Sequence, residues 1–259
     1  MSDIRAITRT EHGNVKWTRY ESYEHAAKDA VAPLTAQELP KASKVMPVCF
    51  IKSDGGYIPA ALQSLIAGLN LFVAPNGRWM LPYTPACYRA YPFVLGRTES
   101  GESLLCADMD SGLLGEEGEP LFEEDGPSEA VKGVLGFLQA VQQNSEQTKI
   151  VCNILAENDL IQPWPLTVKT DEGEQQVEGI YRIDEAALNT LTAESLAEVR
   201  DAGGLAIAYC QLLSMQNLGA MQAFAKLHSD AQAQMSAIPQ SDDGELDLEF
   251  LNDSGTIKF

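Results

Sequence analysis

Along this chain the spacing of apolar residues changes once, and that change limits the fold more than any single motif does. Between Val45 and Ala107 the apolar residues come in short runs, broken by Gly, Pro, Asn and Ser. Beyond Ser128 they recur three and four apart. Short runs closed by turn residues read as strands, and the wider spacing reads as helices with one buried stripe. Strands and helices segregated in this way predict an α+β fold rather than alternating βαβ units.

Val48-Cys49-Phe50-Ile51 ends at Ser53-Asp54-Gly55-Gly56, a strand and its turn. Pro59 to Gly68 has Pro at its start and Gly at its end, which predicts a short helix. Leu71-Phe72-Val73 and Arg78-Trp79-Met80 flank Ala74-Pro75-Asn76-Gly77, and Asn-Gly between apolar runs predicts a hairpin. Pro92 to Leu95 and Leu104 to Ala107 predict two more strands. In the centre, Ser128 caps a helix carrying Val131, Val134, Leu135, Leu138 and Val141, and a second helix spans about Glu146 to Asn158. Pro163 and Pro165 break any helix, and Leu166-Thr167-Val168 with Val177 and Ile180-Tyr181 predicts a hairpin. Asp184 and Thr192 cap short helices, and Leu205 to His228 makes the longest one.

The expected architecture is therefore short, mostly antiparallel strands in the N-terminal half, packed with a central helical pair and a C-terminal helical segment. Residues 1–44 read as a polar, irregular or partly helical arm. Residues 45–239 read as the α+β domain, either undivided or in two lobes, 45–160 and 161–239. Residues 240–259 read as an acidic tail in which Leu246, Leu248 and Phe250 alternate with charges, as in an edge strand.

Charge excludes some partners. The 259 residues carry 37 Asp and Glu against 18 Lys and Arg, a net charge of −19. Without clustered bases the chain is not expected to bind nucleic acid or an anionic membrane surface. No apolar run is long enough for membrane insertion. Met1 to Arg5 shows no apolar core of a secretory signal, so the expected location is the cytoplasm, with export to the cell surface without a signal peptide as the alternative. Cys49, Cys87, Cys106, Cys152 and Cys210 are far apart and never form C-x-x-C, so they read as buried free thiols.

Catalytic signatures are missing. The chain has no G-x-S-x-G, no H-E-x-x-H, no phosphate-binding loop and no dinucleotide fingerprint. His228-Ser-Asp230 matches part of a facial iron triad, but no later His completes it. No catalytic or metal-ligating residue is predicted, and no cofactor is named.

One window stands apart from the rest. Between Asp54 and Glu99 there is no acidic residue, while Arg78, Arg89 and Arg97 lie inside it beside Tyr57, Phe72, Trp79, Tyr83, Tyr88, Tyr91 and Phe93. The next stretch, Thr98 to Val131, holds eleven acidic residues and no Lys or Arg. A guanidinium offers a planar fork to a carboxylate, and aromatic faces shield and orient the pair. The ligand-binding residues predicted from this pattern are Arg78, Trp79, Tyr83, Arg89, Tyr91 and Arg97. The competing reading is that the two windows pair with each other and the rings fill the core.

Several phrases carry a resemblance to a known family. Leu71-Phe72-Val73 with Asn76-Gly77-Arg78-Trp79, Tyr83-Thr84-Pro85-Ala86, and Arg89-Ala90-Tyr91-Pro92-Phe93-Val94 follow one another in order. Gly118-Glu119-Pro120-Leu121-Phe122, Leu155 with Asn158-Asp159-Leu160, and Gly179-Ile180-Tyr181-Arg182-Ile183-Asp184-Glu185 continue the series, with a helix opening at Gly204-Leu205. From about Val45 to Leu227 the chain resembles the SapC family of bacterial proteins, which is distinct from the peptide-transport permease of similar name. The resemblance implies no catalytic residues, and the family name derives from a member associated with a paracrystalline surface layer. The leading expectation is an accessory or binding protein for a peptide, protein or carboxylate-bearing ligand. The alternatives are an enzyme or modification partner whose cofactor has no short fingerprint, and a surface-layer structural protein.

Overall fold

The computed structural model describes residues 3–98, 101–170 and 173–236, so the tail strand expected within 240–259 lies outside the described residues. Strands of three or more residues are β1 (Ile4–Ala6), β2 (Val31–Pro33), β3 (Val48–Ser53), β4 (Gly56–Leu62), β5 (Phe93–Arg97), β6 (Ser103–Asp108), β7 (Ile161–Pro163), β8 (Thr167–Thr170), β9 (Gly173–Gln176) and β10 (Ile180–Ile183). The longer helices are α1 (Glu129–Glu157), α2 (Glu185–Asn189), α3 (Ala193–Asp201), α4 (Gly204–Ser214) and α5 (Leu218–Ser236). Mixed helices and antiparallel sheets make this an α+β protein, as expected.

The main sheet runs β7-β10-β3-β4-β2 and is antiparallel throughout. Its central strand β3 buries Val48, Cys49 and Phe50 completely, because helices and loops cover both of its faces. Asp54 and Gly55 turn β3 into β4 with φ of 46° and 81°, the paired positive values that a two-residue hairpin needs. The helix expected from Pro59 to Gly68 is not formed. Pro59, Ala60, Ala61 and Leu62 continue β4, paired with β3 on one side and β2 on the other. Burial between two strands outweighs the local Pro and Gly signal, which fixes no tertiary partner.

The expected pair of central helices is also corrected, to one continuous helix. Ser128 caps α1 by accepting from Val131 N at 3.3 Å, and the helix then runs 29 residues, about 44 Å at 1.5 Å per residue. Gln142 to Glu146 contains neither Pro nor Gly, and Glu146 accepts from Gln142 rather than starting a new helix. The helix is long because it serves two cores. Val131, with Val134, Leu135 and Leu138, packs on a small core of Ile7, Trp17, Phe93, Leu105, Ala107 and Leu121 under the sheet β1-β6-β5. Cys152 and Leu155 pack on the larger core beneath the main sheet.

The described part of the expected N-terminal arm belongs to both cores. Ala26, Ala32, Leu34, Leu39 and Ala42 are buried in the large one, Ile7 and Trp17 in the small one, and β2 is an edge of the main sheet. Near the C-terminus, Asp184 and Thr192 cap their helices by accepting from Ala187 N and Ser195 N. The single helix expected over Leu205 to His228 is interrupted at Met215–Asn217, where Asn217 Nδ2 donates to Ser43 O and Met46 O. The hairpin expected near Leu166 forms between β8 and β9, while β10 leaves it to join the main sheet.

Candidate functional site

The expected binding residues do not form one patch. Arg78 is exposed on the turn at residues 74–78, where Gly77 (φ 77°) lies so close to Ser22 that any Cβ would collide with it. Arg97 pairs with Glu146 of α1 at 2.6 Å, out in solvent. Trp79 is half-buried, its Nε1 donating to Tyr83 O at 2.9 Å while its ring packs against Tyr23, Phe72 and Tyr88. Tyr83, Arg89 and Tyr91 are brought together with residues from elsewhere in the chain.

What organises them is Glu38, which lies outside the acid-free window. Glu38 is 6 % exposed. Its Oε2 accepts from Thr35 N at 2.9 Å and Thr35 Oγ1 at 3.0 Å. Its Oε1 accepts from Tyr83 Oη at 2.9 Å and from Ala86 N at 2.7 Å, and lies 3.8 Å from Arg89 Nη2. A buried carboxylate is tolerable because its oxygens meet several donors and a cation. Thr35-x-x-Glu38 has the form of a capping box, which was a usable sequence signal. The long-range half of its network was not.

Arg89, held from behind by Glu38, lies over the rings of Tyr83 and Phe137 at 5.7 and 5.3 Å. It opens onto a cleft of about 680 Å³ whose wall includes Trp17, Arg19, Tyr20, Tyr23, Tyr91 and, from α1, Phe137. Arg19 lies over Trp17 at 5.8 Å and only loosely approaches Glu119, at 3.9 Å. Trp17 is 5 % exposed, and its Nε1 is buried without an acceptor among the described residues. Burial and a hydrogen bond with Tyr23 push the Tyr20 phenol well above its ordinary value, so it stays protonated. The cleft is thus rich in donors and rings.

Tyr91 also walls a second cavity, of about 600 Å³, with His25, Asp29, Val31, Pro33, Cys87, Tyr88, Asp108 and Asp110. His25 stacks on Tyr91 with centroids 3.9 Å apart and planes 3° from parallel, and burial lowers its pKa. Cys87, expected from the sequence to be buried, is exposed; Cys210 is half-buried and Cys49, Cys106 and Cys152 are buried. A third groove, about 1100 Å³ and mainly apolar, lies between residues 64–75, the start of β8 and α5.

Among the described residues no three His, Cys, Asp or Glu side chains gather as a metal site, and no helix is long and apolar enough to cross a membrane. The fold and clefts define an α+β protein with a ring-lined, arginine-bearing cleft between its two cores. The SapC family model matches residues 7–221, and the chain belongs to the SapC family. That match takes in most of the segment read from sequence as an arm. No curated protein and no solved structure matches the chain.

Proposed function

We propose that this SapC-family chain is a binding protein that takes a carboxylate-bearing ligand, such as a peptide end or acidic side chain, in the cleft between Arg89 and Arg19. The observation that carries the reading is the placing of two cations on one ring-lined wall: the guanidinium groups of Arg89 and Arg19 and the side chain of Trp17 line the same cleft, in a chain whose net charge is −19. Arg89 donates to Tyr83 Oη at 3.3 Å and is restrained by Glu38 and two ring faces, which reduces the side-chain freedom lost when a ligand arrives. Arg19 is the freer arm of the clamp. Of the residues expected to bind, Arg89 and Tyr91 carry this reading, Tyr83 and Trp79 support them from behind, and Arg78 and Arg97 take no part.

The test compares peptides bearing a free C-terminal carboxylate with their C-terminal amides, by calorimetry or tryptophan fluorescence. The free acids bind, the amides bind at least about tenfold more weakly, and Arg19→Gln removes most of that difference, as expected when a charged hydrogen bond is lost. Equal affinity for acid and amide overturns the proposal. The same reading assigns the protein to the cytoplasm, where its five free cysteines, Cys87 exposed among them, stay reduced. Recovery of most of the protein on the cell exterior would reverse that assignment.

A further inference from the structure

One wall of the second cavity is an open sheet edge. Among the described residues, strand β2 pairs only with β4, through Val31↔Leu62, Ala32↔Ala61 and Pro33↔Ala60. Gln63 N donates to Ala30 O at 2.8 Å and Leu34 N to Pro59 O at 2.9 Å. Bonding alternates along an antiparallel ladder, so residues 30, 32 and 34 direct their backbone groups toward β4. Val31 N–H, Val31 C=O and Pro33 C=O then face the other way, off the edge of the sheet. Val31 and Pro33 line the cavity, together with Asp29 of the segment leading into β2. Facing them are Asp108, at the end of β6, and Asp110.

None of these three carboxylates is in an ion pair among the described residues. Asp108 accepts from Tyr91 Oη at 3.5 Å and from Asp110 N at 3.1 Å, while Asp110 accepts from Asp3 N at 3.2 Å. The nearby Arg5 is spent on Asp3 instead. Tyr88, Tyr91 and His25 complete the wall, and their faces suit a guanidinium as well as a carboxylate suits it. Pro33 withholds one edge donor, which shortens the stretch of edge that can pair but leaves the donor and acceptor of Val31.

We propose that this edge receives a short extended peptide with basic side chains two residues apart, its backbone pairing with Val31 and its charges meeting Asp29, Asp108 and Asp110. An added strand supplies backbone hydrogen bonds for affinity, and alternate side chains on one face supply specificity. Charge complementarity selects the basic peptide over other extended segments. The surface goes beyond the carboxylate cleft and stands or falls apart from it.

The probe is acetyl-Arg-Val-Arg-Val-Arg-amide, measured by calorimetry at about physiological salt. Three controls accompany it: the Glu-Val counterpart, the Arg peptide N-methylated on each alternate set of backbone nitrogens, and full-length protein carrying Asp29→Asn with Asp110→Asn. The Arg peptide binds and the Glu peptide does not. Methylation of one alternate set abolishes binding while methylation of the other leaves it, and the double variant binds about tenfold more weakly or worse. Arg19→Gln leaves the affinity for the Arg peptide unchanged, so failure of the carboxylate cleft and failure of this edge are separable. If both methylated peptides bind like the parent, the attraction is only that of a polycation for a protein of net charge −19, and the proposal fails. It also fails if the Arg peptide does not bind while the circular dichroism of the protein is native.

Discussion

Two cavities of similar size share the Tyr91 ring and differ in how their charges are held. On one side, Arg89 is backed by the buried Glu38 and lies over the rings of Tyr83 and Phe137. On the other, Asp29, Asp108 and Asp110 face a common space without a cation among the described residues. The contrast follows from composition. With 18 basic residues against 37 acidic ones, there are about two acids for each base, and about half of the acids must do without. At Arg89 the scarce guanidinium is backed by a carboxylate of its own chain, whereas Asp29, Asp108 and Asp110 meet only hydrogen-bond donors and no cation among the described residues.

Glu38 gives the largest expected break in that contrast. Glu38→Ala leaves Thr35 N, Tyr83 Oη and Ala86 N without their acceptor and frees Arg89 from behind. Urea unfolding should show a loss of about 3 kcal/mol, toward the low end for a broken buried pair because Arg89 itself is partly exposed. Glu38→Gln keeps an acceptor and should cost about half as much, yet still weaken carboxylate binding by loosening Arg89. An unchanged unfolding midpoint in Glu38→Ala would mean that the cleft is not anchored from behind.

Tyr91 sharpens the comparison, because it is the wall that both cavities share. Tyr91→Ala removes the stack on His25 and should destabilise by about 1–2 kcal/mol. It should weaken the acidic and the basic peptide together, which no single-charge variant does. Loss of one ligand only would show that the two cavities are partitioned by something other than this ring.

Protonation of His25 should have a smaller effect. Burial lowers its folded pKa, so the unfolded chain binds the proton more readily. Its contribution to stability is complete above the ordinary His value, near 6.5, and is lost as pH falls through the folded value. Asp29 works in the opposite sense, since burial raises its pKa and favours the folded state as acid is added. The clean measurement is the difference between the wild type and His25→Phe, which keeps a ring against Tyr91. The urea midpoint of the wild type should fall more steeply between pH 7 and 5 than that of the variant, and parallel profiles would place His25 outside the titration.

The sequence disclosed those features that depend on neighbours within a turn or two. Ser128, Asp184 and Thr192 cap helices as their side chains predict, and the paired strands β5 and β6 follow their apolar runs. Where the partner is remote, the reading failed. Pro59 to Leu62 became a strand because β2 and β3 flank it, and α1 ran on because it had two cores to cover. The site divides along the same line. Arg89 and Tyr91 were visible in an acid-free window, but Trp17, Arg19 and Phe137 reach the cleft from distant segments, and Glu38 meets Tyr83 across 45 residues.

The smallest expected effect tests whether that window acts as a unit. Arg97 and Arg78 share the acid-free stretch with Arg89 but not its surroundings. Arg97 is half in solvent beside an exposed Glu146, whose carboxyl is held below its ordinary value by hydrogen bonds from Gln142 and Arg97. Arg78 has only its backbone engaged, N–H to Asn76 Oδ1, among the described residues. Exposed pairs of this kind are screened by solvent and contribute little. Arg97→Gln and Arg78→Gln, separately and together, should leave the unfolding midpoint and the affinity for a free-carboxylate peptide unchanged. Under the same conditions Arg19→Gln, which lies outside the window altogether, loses binding. Were the double variant instead to lose the ligand, proximity in sequence rather than in the fold would define the site, and the cleft between Arg19 and Arg89 would be the wrong one.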